Sequence, residues 1–387
     1  MKRSKLKDLT LHITDGEHAT VVDTPNAPYY LLSNKNIVDG NIVITKEDRT
    51  ISKITFDKIN RRTLLDKGDV VVSTVGTIGK VALIKNEPNF EFQRSVGIIK
   101  CNSALLLPEY LMYYLNLSFV QNRLKRLSKG AVQKCLFIND LEDFIIDYPE
   151  SIEKQKGIVK SLINIDSQIE RNNAMVQKLQ VLGNTIYSKT FSSCKDKISF
   201  YDYPYLELLK LGILQFDGEK TYIPTAEVNG NNINFNSSKI TFENRENRAN
   251  MQPICNSIWF AKMKSSNKHI YLTEKDNYLV DNFIFSTGFF GIKCQDFAFE
   301  YLIGTVELPY FEEMKDKLAH GATMESINND DLKSLLIPNP SKELLEQYHN
   351  QTKDIYKQIS LIRIENYKLE ILKNRLLPLL INGQLEV

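Results

Sequence analysis

The segment Gly76-Thr77-Ile78-Gly79-Lys80 is the part of the sequence that comes closest to a phosphate-binding loop. A Walker loop needs a glycine five residues before its second glycine, and Ser or Thr directly after its lysine. Thr74 and Val81 stand at those two positions, so the segment does not fit a nucleotide site. It fits a turn between two β-strands.

The other patterns that could support chemistry are also incomplete. Asn26-Ala27-Pro28-Tyr29 resembles the Asn-Pro-Pro-Tyr box of adenine methyltransferases, but its first proline is absent. No Gly-rich cofactor loop on a strand-to-helix turn accompanies it. The five histidines and five cysteines show no metal-ligand spacing, and the sequence contains no nucleophile elbow. These patterns predict a chain that is not an enzyme and that has no metal or cofactor of its own.

The distribution of charge says more than the net charge, which is only +2. No acidic residue lies between Glu109 and Asp140, or between Glu246 and Glu274, although both stretches contain several lysines and arginines. Local basic patches of this kind can hold phosphates. A solvated surface without a ligand is the alternative.

Length and composition indicate a multidomain globular protein. A chain of 387 residues exceeds one ordinary core, and 42% hydrophobic with 25% charged residues is a globular composition. No apolar run approaches the roughly 20 residues that span a bilayer, and no secretory signal follows the basic N-terminus. We therefore expect a cytoplasmic protein that does not contact a membrane.

The sequence repeats itself once, with a period of about 190 residues. Gly130-Ala131 recurs as Gly321-Ala322, and Lys53-Ile54-Thr55-Phe56 recurs as Lys239-Ile240-Thr241-Phe242, in the same order. Each match is short, but the shared order and near-constant offset favour two similar globular regions.

A long helix is predicted after each copy, over residues 152–190 and 342–377. Ser151 and Ser341 are suitable N-caps, and each has an acidic residue in the following turn. We predict that the two helices pack antiparallel. Each helix runs away from its own domain, so this pairing would place the domains at opposite ends and give a pseudo-two-fold axis.

Apolar residues in both helices recur at spacings of four and three, which is the pattern of a heptad seam. Asn172 fills a gap in the first seam, and Asn366 and Lys373 fill gaps in the second. The seam residues that we assign to the spacer and to subunit docking are Ile158, Leu162, Ile165, Ile169, Ile355, Ile359, Ile362 and Leu369.

The globular regions are predicted to be α+β. The β-branched run Asp69–Ser73 predicts a strand, Lys80–Ile84 the returning strand, and 108–127 a helix. The second region has strand-like segments at Ser257–Phe260 and Phe283–Ser286, and a helix near 311–318.

Several segments together resemble type I restriction-modification specificity subunits. Leu65–Lys80 is similar to that family's KGD strand and G-x-x-G-K hairpin. Leu141–Pro149, leading through Glu153-Lys154-Gln155 into a helix, resembles the family's junction, and Leu376–Gln384 resembles its C-terminal ending. Asn256–Lys264 replaces the KGD motif in the second region, where we expect no counterpart of the 75–80 hairpin.

The resemblance implies an architecture of two tandem target-recognition domains separated by two long helices that form an antiparallel coiled coil. The domains would be 1–150 and 193–340, with a central spacer helix at 151–192 and a C-terminal spacer helix at 341–383. It also implies that each domain reads one half of a split, asymmetric target in double-stranded DNA. The helices would dock two modification subunits that bring S-adenosylmethionine. Restriction subunits would add cleavage that depends on ATP and Mg²⁺.

The residues that we expect to contact DNA lie in the hairpin, in a following turn and in the basic stretches. We expect Gln93 and Arg94 to read bases, because Gln suits adenine and Arg suits guanine. The predicted contacts are Thr77, Lys80, Gln93, Arg94, Lys129, Lys134, Arg245, Arg248, Lys262, Lys264 and Lys268.

Two other functions stay open from the sequence alone. One is a DNA methyltransferase with an unusual cofactor site, which binding of S-adenosylmethionine by the isolated chain would reveal. The other is a structural coiled-coil adaptor, which would not shift random-sequence DNA in a gel at low salt.

Overall fold

The structure is a computed structural model that describes residues 1–38, 40–130, 134–233, 237–322 and 324–385. Ala131 of the sequence repeat lies outside these residues. The chain divides into two compact units. Unit 1 comprises Met1–Ser167 with Ile371–Val387, and unit 2 comprises Gln168–Glu370. Each unit therefore contains one globular region and a segment of each long helix.

Unit 1 mixes short strands with short helices, as the sequence predicts. Short 3₁₀ turns lie at Leu6–Leu9 and Asn34–Asn36. The strands and helices are β1 (Lys2–Lys5), β2 (Thr10–Asp15), β3 (Tyr29–Leu32), β4 (Ile37–Val38), β5 (Asn41–Ile42), β6 (Thr50–Ile51), α1 (Lys53–Thr63), β7 (Val70–Ser73), β8 (Val81–Leu83), β9 (Phe90–Phe92), β10 (Val96–Cys101), α2 (Pro108–Leu115), α3 (Ser118–Leu127), α4 (Ile138–Glu142), β11 (Ile145–Tyr148) and the first part of α5 (Ile152–Phe191).

Unit 2 repeats this arrangement. Its 3₁₀ turns lie at Thr225–Glu227 and Asp296–Ala298. Its elements are β12 (Lys197–Ser199), β13 (Leu206–Leu208), β14 (Lys220–Ile223), β15 (Val228–Asn229), β16 (Asn232–Ile233), β17 (Lys239–Ile240), β18 (Ala249–Met251), β19 (Ser257–Ala261), β20 (His269–Leu272), α6 (Asn277–Asn282), β21 (Phe283–Ser286), β22 (Phe289–Cys294), α7 (Phe299–Glu307), α8 (Pro309–Leu318), α9 (Asp331–Ser334), β23 (Leu336–Pro338) and α10 (Lys342–Ile381).

The strand orders of the two units correspond sheet by sheet. The main sheet is antiparallel and has the order β2-β10-β7-β8 in unit 1 and β13-β22-β19-β20 in unit 2. A second sheet has the order β6-β3-β9 in unit 1 and β17-β14-β21-β18 in unit 2, each with one parallel pair. The predicted two-copy α+β fold is thus confirmed at the level of topology.

The sequence match between 53–56 and 239–242 does not correspond to a structural match. Lys53–Phe56 begins helix α1, whereas Lys239-Ile240 forms strand β17. The strand that occupies the place of β17 in unit 1 is β6, just before α1. Ser52 accepts a hydrogen bond from the backbone N–H of Thr55 and caps α1, so the two similar tetrapeptides adopt different structures.

The helix predicted over 108–127 is in fact two helices. Leu117 has extended backbone angles and separates α2 from α3. The side chain of Gln121 donates a hydrogen bond of 2.7 Å to the carbonyl of Leu115, which satisfies one acceptor at the end of α2. The apolar pattern is continuous across the break, so periodicity alone could not reveal it.

The two long helices run antiparallel within each unit, as predicted. In unit 2, Asn172 donates to Asn366 at 2.8 Å, and the hydroxyl of Tyr356 lies over Gly183, where a Cβ would come within 2.9 Å. In unit 1, Lys373 forms a 2.6 Å ion pair with Asp166. Residue numbers therefore rise along α5 as they fall along α10 in both units.

Helix α10 extends beyond its predicted end at 377. It passes through Pro378 and ends at Ile381. Proline removes one helical hydrogen bond. Burial of Leu380 and Ile381 in the core of unit 1 offsets that loss, since both side chains are at most 4% exposed.

Each core combines its own sheet with segments of both long helices. The core of unit 1 packs Val70 and Val72 of β7 together with Leu162 of α5 and Leu377 of α10. The core of unit 2 packs the sheet residues Ile258 and Phe260 with the helical residues Val176, Tyr356 and Ile359. Neither globular region is therefore complete without the long helices.

Gln155 joins the start of α5 to the rest of unit 1. Its side chain is fully buried, accepts a 2.8 Å bond from the N–H of Leu107, and donates to the carbonyls of Leu105 and Pro149 at 2.9 and 2.8 Å. The glutamine of the sequence junction thus satisfies three backbone groups that lie on two different chain segments.

We expect Gln155→Ala to destabilise unit 1 by about 3 kcal/mol or more, because each buried backbone group left unpaired costs roughly 1–3 kcal/mol. Urea unfolding followed by circular dichroism measures the change. Lys156→Ala is the control: this exposed neighbour only pairs with Glu153 on the surface and should change stability by less than about 0.5 kcal/mol. Equal effects of the two variants would contradict the assignment.

Burial places an acid of unusual pKa in the second sheet of unit 1. Glu91 of β9 is fully buried and accepts hydrogen bonds from Asn60 at 2.8 Å and Thr63 at 2.9 Å, both on α1. Burial raises the pKa of Glu91 to about 7, although the two hydrogen bonds oppose the rise. The folded chain therefore holds this proton more tightly than the unfolded chain.

Stability should fall as pH rises from about 4.5 to about 7, because the unfolded state ionises Glu91 before the folded state does. The loss is on the order of 3 kcal/mol across this window. We expect Glu91→Gln to lack this part of the pH dependence of the free energy of unfolding. Urea unfolding at several pH values measures it as the difference between the variant and the wild type. Exposed Glu87→Gln should keep the wild-type pH dependence. An unchanged pH dependence in Glu91→Gln would show that Glu91 is ionised throughout.

Candidate nucleic-acid interface

The predicted hairpin of unit 1 forms between β7 and β8, with its loop at residues 74–80. The loop closes where the N–H of Ser73 donates to the carbonyl of Lys80 at 2.8 Å. Gly76 and Gly79 both have positive φ, at 76° and 90°, a conformation that glycine adopts without steric cost. The G-x-x-G spacing in the sequence therefore has a conformational cause.

Two other segments meet this hairpin at the end of the main sheet. The N–H of Thr74 donates to Ser95 at 2.9 Å, in the turn after β9. The N–H of Leu136 donates to the carbonyl of Thr74 at 2.8 Å, and the N–H of Gly76 donates to the carbonyl of Lys134 at 3.1 Å. The hairpin, the 93–95 turn and the segment after α3 thus form one continuous surface.

The six residues predicted in unit 1 all lie on these three segments. Thr77, Arg94 and Lys134 are exposed, and Lys80 and Gln93 are half-buried. The side chains of Lys80, Arg94 and Lys134 form no ion pair within the described part of the chain. Lys129 differs, because its ammonium lies 3.5 Å from Asp140 and over the ring of Phe137.

Unit 2 contains the same hairpin, contrary to the expectation from its sequence. The loop at 262–268 joins β19 to β20 and closes with a 3.0 Å bond from the N–H of Ala261 to the carbonyl of Lys268. Asn256 has φ of 52° where unit 1 has Gly68 with φ of 91°. Asparagine tolerates this conformation better than most residues, so the turn persists without the KGD motif.

The same three segments also converge in unit 2. The N–H of Lys262 donates to Gly288 at 2.9 Å, in the turn after β21. The N–H of Ile327 donates to the carbonyl of Lys262 at 3.0 Å, and the N–H of Lys264 donates to Glu325 at 3.0 Å. Each bond corresponds to one in unit 1.

Three of the predicted cations of unit 2 are engaged within the protein. Lys264 forms a 2.7 Å ion pair with Glu325, which raises the pKa of the lysine, and Lys268 donates to the carbonyl of Thr225 at 2.7 Å. Arg245 donates to the carbonyl of Phe242 and lies 4.3 Å from the centroid of its ring. These side chains shape their loops, so their availability to phosphates is reduced.

Exposed Arg248 and half-buried Lys262, whose ammonium lies 4.6 Å from the centroid of the Phe290 ring, form a second cationic site beside the hairpin. The backbone carbonyl of Arg248 accepts a 2.9 Å hydrogen bond from the N–H of Thr287. Arg248 therefore lies beside the turn that contains Thr287 and Gly288. Burial lowers the pKa of Lys262, and the nearby charge of Arg248 lowers it further. Neither side chain pairs with a carboxylate in the described residues. Two like charges held together are stabilised by an anion.

Sequence reasoning missed residues that hold the first hairpin in place. Asn34 donates to the carbonyl of Val75 at 2.6 Å, and Gln121 donates to the carbonyl of Gly79 at 2.7 Å. Both are uncharged residues distant in sequence from the loop, and nothing in their local pattern indicates the contact.

The eight predicted seam residues lie along the inner sides of the long helices. Their burial within the chain fits the predicted seam between the two helices, and their role in subunit docking stays a prediction. Ile158, Leu162, Ile165, Ile359 and Ile362 are buried, and Ile169, Ile355 and Leu369 are half-buried.

The described residues contain no group of three or more His, Cys, Asp or Glu residues placed to hold a metal ion. None of their helices is both long enough and apolar enough to cross a membrane.

Comparison with known proteins agrees with the geometry. Residues 21–181 match the family described as "Type I restriction modification DNA specificity domain". The "Type I restriction enzyme EcoBI specificity subunit" of Escherichia coli is 29% identical over 160 residues, a match that covers 40% of this chain and 33% of that protein. A protein of Methanocaldococcus jannaschii, whose description assigns it to the MjaX specificity subunits, is 23% identical over 99% of this chain and 93% of its own length.

The fold also matches a solved structure. The crystal structure of the S subunit of a type I restriction-modification system from M. genitalium superposes with a TM-score of 0.55 and 16% identity, covering 98% of this chain and 96% of that one. This similarity concerns the fold, whereas the sequence matches concern the family. Residues 21–181 are therefore similar to the DNA specificity domain of type I restriction-modification systems, and nearly the whole chain is similar in sequence to a specificity subunit.

Proposed function

We propose that this chain reads a two-part DNA target, with one unit for each part. The observation that carries the proposal is the convergence, in each unit, of a hairpin, a turn and a segment after a helix on one surface. Exposed Arg94 and Lys134 lie there in unit 1, and Arg248 and Lys262 lie at the corresponding place in unit 2. Cations without ion-pair partners at this surface suit a polyanion.

The shape of the surface suits the major groove of DNA. That groove admits a two-stranded β-ribbon, and the β7–β8 and β19–β20 hairpins each present a loop from the edge pair of a four-stranded sheet. In unit 1, exposed Arg94 matches the O6 and N7 acceptors of guanine, and Gln93 matches adenine. The lysines of both surfaces position the phosphates, which carry no sequence information.

The proposal assigns the chemistry to partner subunits. Two modification subunits would dock on the long helices and bring S-adenosylmethionine, and restriction subunits would use ATP and Mg²⁺. The outer sides of these helices offer apolar contacts that a partner could cover. Exposed examples are Ile163, Met175, Val181, Leu182, Leu361 and Leu372.

We expect the double variant Arg94→Ala/Lys134→Ala to weaken binding to all DNA sequences. The slope of log K against log salt concentration should become shallower by about 2, because each phosphate contact contributes about 0.9. Fluorescence anisotropy at several salt concentrations measures it. The control removes two exposed lysines of the same unit, Lys154→Ala/Lys160→Ala, and should leave the slope unchanged. Equal slopes for the two double variants would argue against this surface.

We expect the methylated target to consist of two unlike half-sites with a constant unread gap. The two hairpins share a backbone but differ in side chains, so they present different donors and acceptors to the bases. Genome-wide sequencing of methylated adenines, in cells that carry this chain and its modification partner, tests this. One contiguous motif, or a perfect palindrome, would refute a two-reader chain.

A further inference from the structure

The loop of the second hairpin is held from one side by two consecutive residues of helix α8. Asp316 accepts a 2.8 Å hydrogen bond from the N–H of Ser265, and Lys315 donates a 2.9 Å bond to the carbonyl of Ser266. The carboxylate of Asp316 thus binds a backbone N–H, and the ammonium of Lys315 binds a backbone carbonyl, at adjacent residues of the loop. These two bonds fix the position of the loop relative to α8.

Lys315 is built into the protein and is not a surface charge. Its side chain is fully buried, and its ammonium lies 2.5 Å from the Oε2 of Glu312. The other oxygen of Glu312 lies 3.2 Å from the Nε2 of His269, the first residue of β20. A buried ammonium is costly unless it is paired and hydrogen-bonded. The cluster therefore connects α8 to the loop and to the strand that leaves it.

The second loop needs such support more than the first. Ser265 has φ of 53°, which is unfavourable for a residue with a Cβ. At its positive-φ positions the first loop has Gly76 and Gly79, for which this conformation carries no penalty. Asn34 and Gln121 hold the first loop through neutral hydrogen bonds to Val75 and Gly79. The second loop is held by a charged pair instead.

We infer that Lys315 and Asp316 are positioning residues for DNA reading by the second hairpin. The inference rests on the proposed function. Lys262 belongs to the same loop, so a change in the loop backbone moves a cation of the proposed DNA-facing surface. Loss of Lys315 or Asp316 should reduce the sequence preference of unit 2 and leave the sequence preference of unit 1 unchanged.

The experiment compares full-length Lys315→Met and Asp316→Ala with two controls. Asp316→Asn keeps an oxygen that can accept the bond from Ser265, so it should restore wild-type behaviour. Lys317→Met removes an exposed lysine of the same helix and controls for charge. Each protein selects from a randomised double-stranded DNA library, and hydrogen exchange is measured for the peptide that contains residues 262–268.

We expect Asp316→Ala and Lys315→Met to lose sequence preference at one half-site and to keep it at the other, with the loop amides exchanging roughly tenfold faster. Asp316→Asn and Lys317→Met should match the wild type. Wild-type preference at both half-sites in Asp316→Ala, or equal loss at both with cooperative unfolding retained, would overturn the inference. If Lys315→Met does not fold, Asp316→Ala carries the test.

Failure of the proposed function would look different. A wild-type chain that selects no motif would refute DNA reading itself. The hydrogen-exchange measurement needs no DNA. Unchanged exchange of the 262–268 loop in Asp316→Ala would therefore refute the positioning role of α8 and leave DNA reading untouched.

Discussion

The structure depends on the antiparallel packing of two helix segments that are far apart in the sequence. Asn172 pairs with Asn366 across 194 residues, and Asp166 pairs with Lys373 across 207. A shift of one helix along the other would bury an unpaired amide or charge, so these pairs fix the register of an otherwise apolar seam. Since the same segments complete both cores, the register of the helices also fixes the frame on which each sheet is built.

Backbone hydrogen bonds, more than side chains, define the two surfaces that we propose for DNA reading. Thr74 and Lys262 occupy corresponding positions and make the same two backbone bonds, one to the following turn and one from the segment after the helix. A threonine and a lysine can replace one another because neither bond uses a side chain. The surface can therefore change its side chains, and with them the DNA sequence that we propose it reads, without changing its fold.

The parts of the fold that the sequence could predict are those with a local physical cause. The strand pair around Gly76 and Gly79 was predictable because the glycines mark the turn, and the long helices because their apolar residues keep one period. The seam gaps at Asn172 and Asn366 were visible, but their pairing required the relative register of two distant helices. The second hairpin was missed because Asn256 and Ser265 adopt positive φ where the motif would place glycine.

The candidate site also has features that the local sequence predicts and features that depend on distant contacts. Charged residues in acid-free stretches could be identified, but their partners could not, since Lys264 meets Glu325 across the fold and Lys268 meets the carbonyl of Thr225. The predicted cations thus separate into those that bond to other groups of the protein and those that have no carboxylate partner among the described residues. Only the geometry makes this distinction. Arg248 and Lys262 lie together because the turn after β21 brings β18 and the hairpin side by side, and no carboxylate of the described residues pairs with either. An anion that binds there would relieve the repulsion between them, so binding energy is available at this place before any base is read.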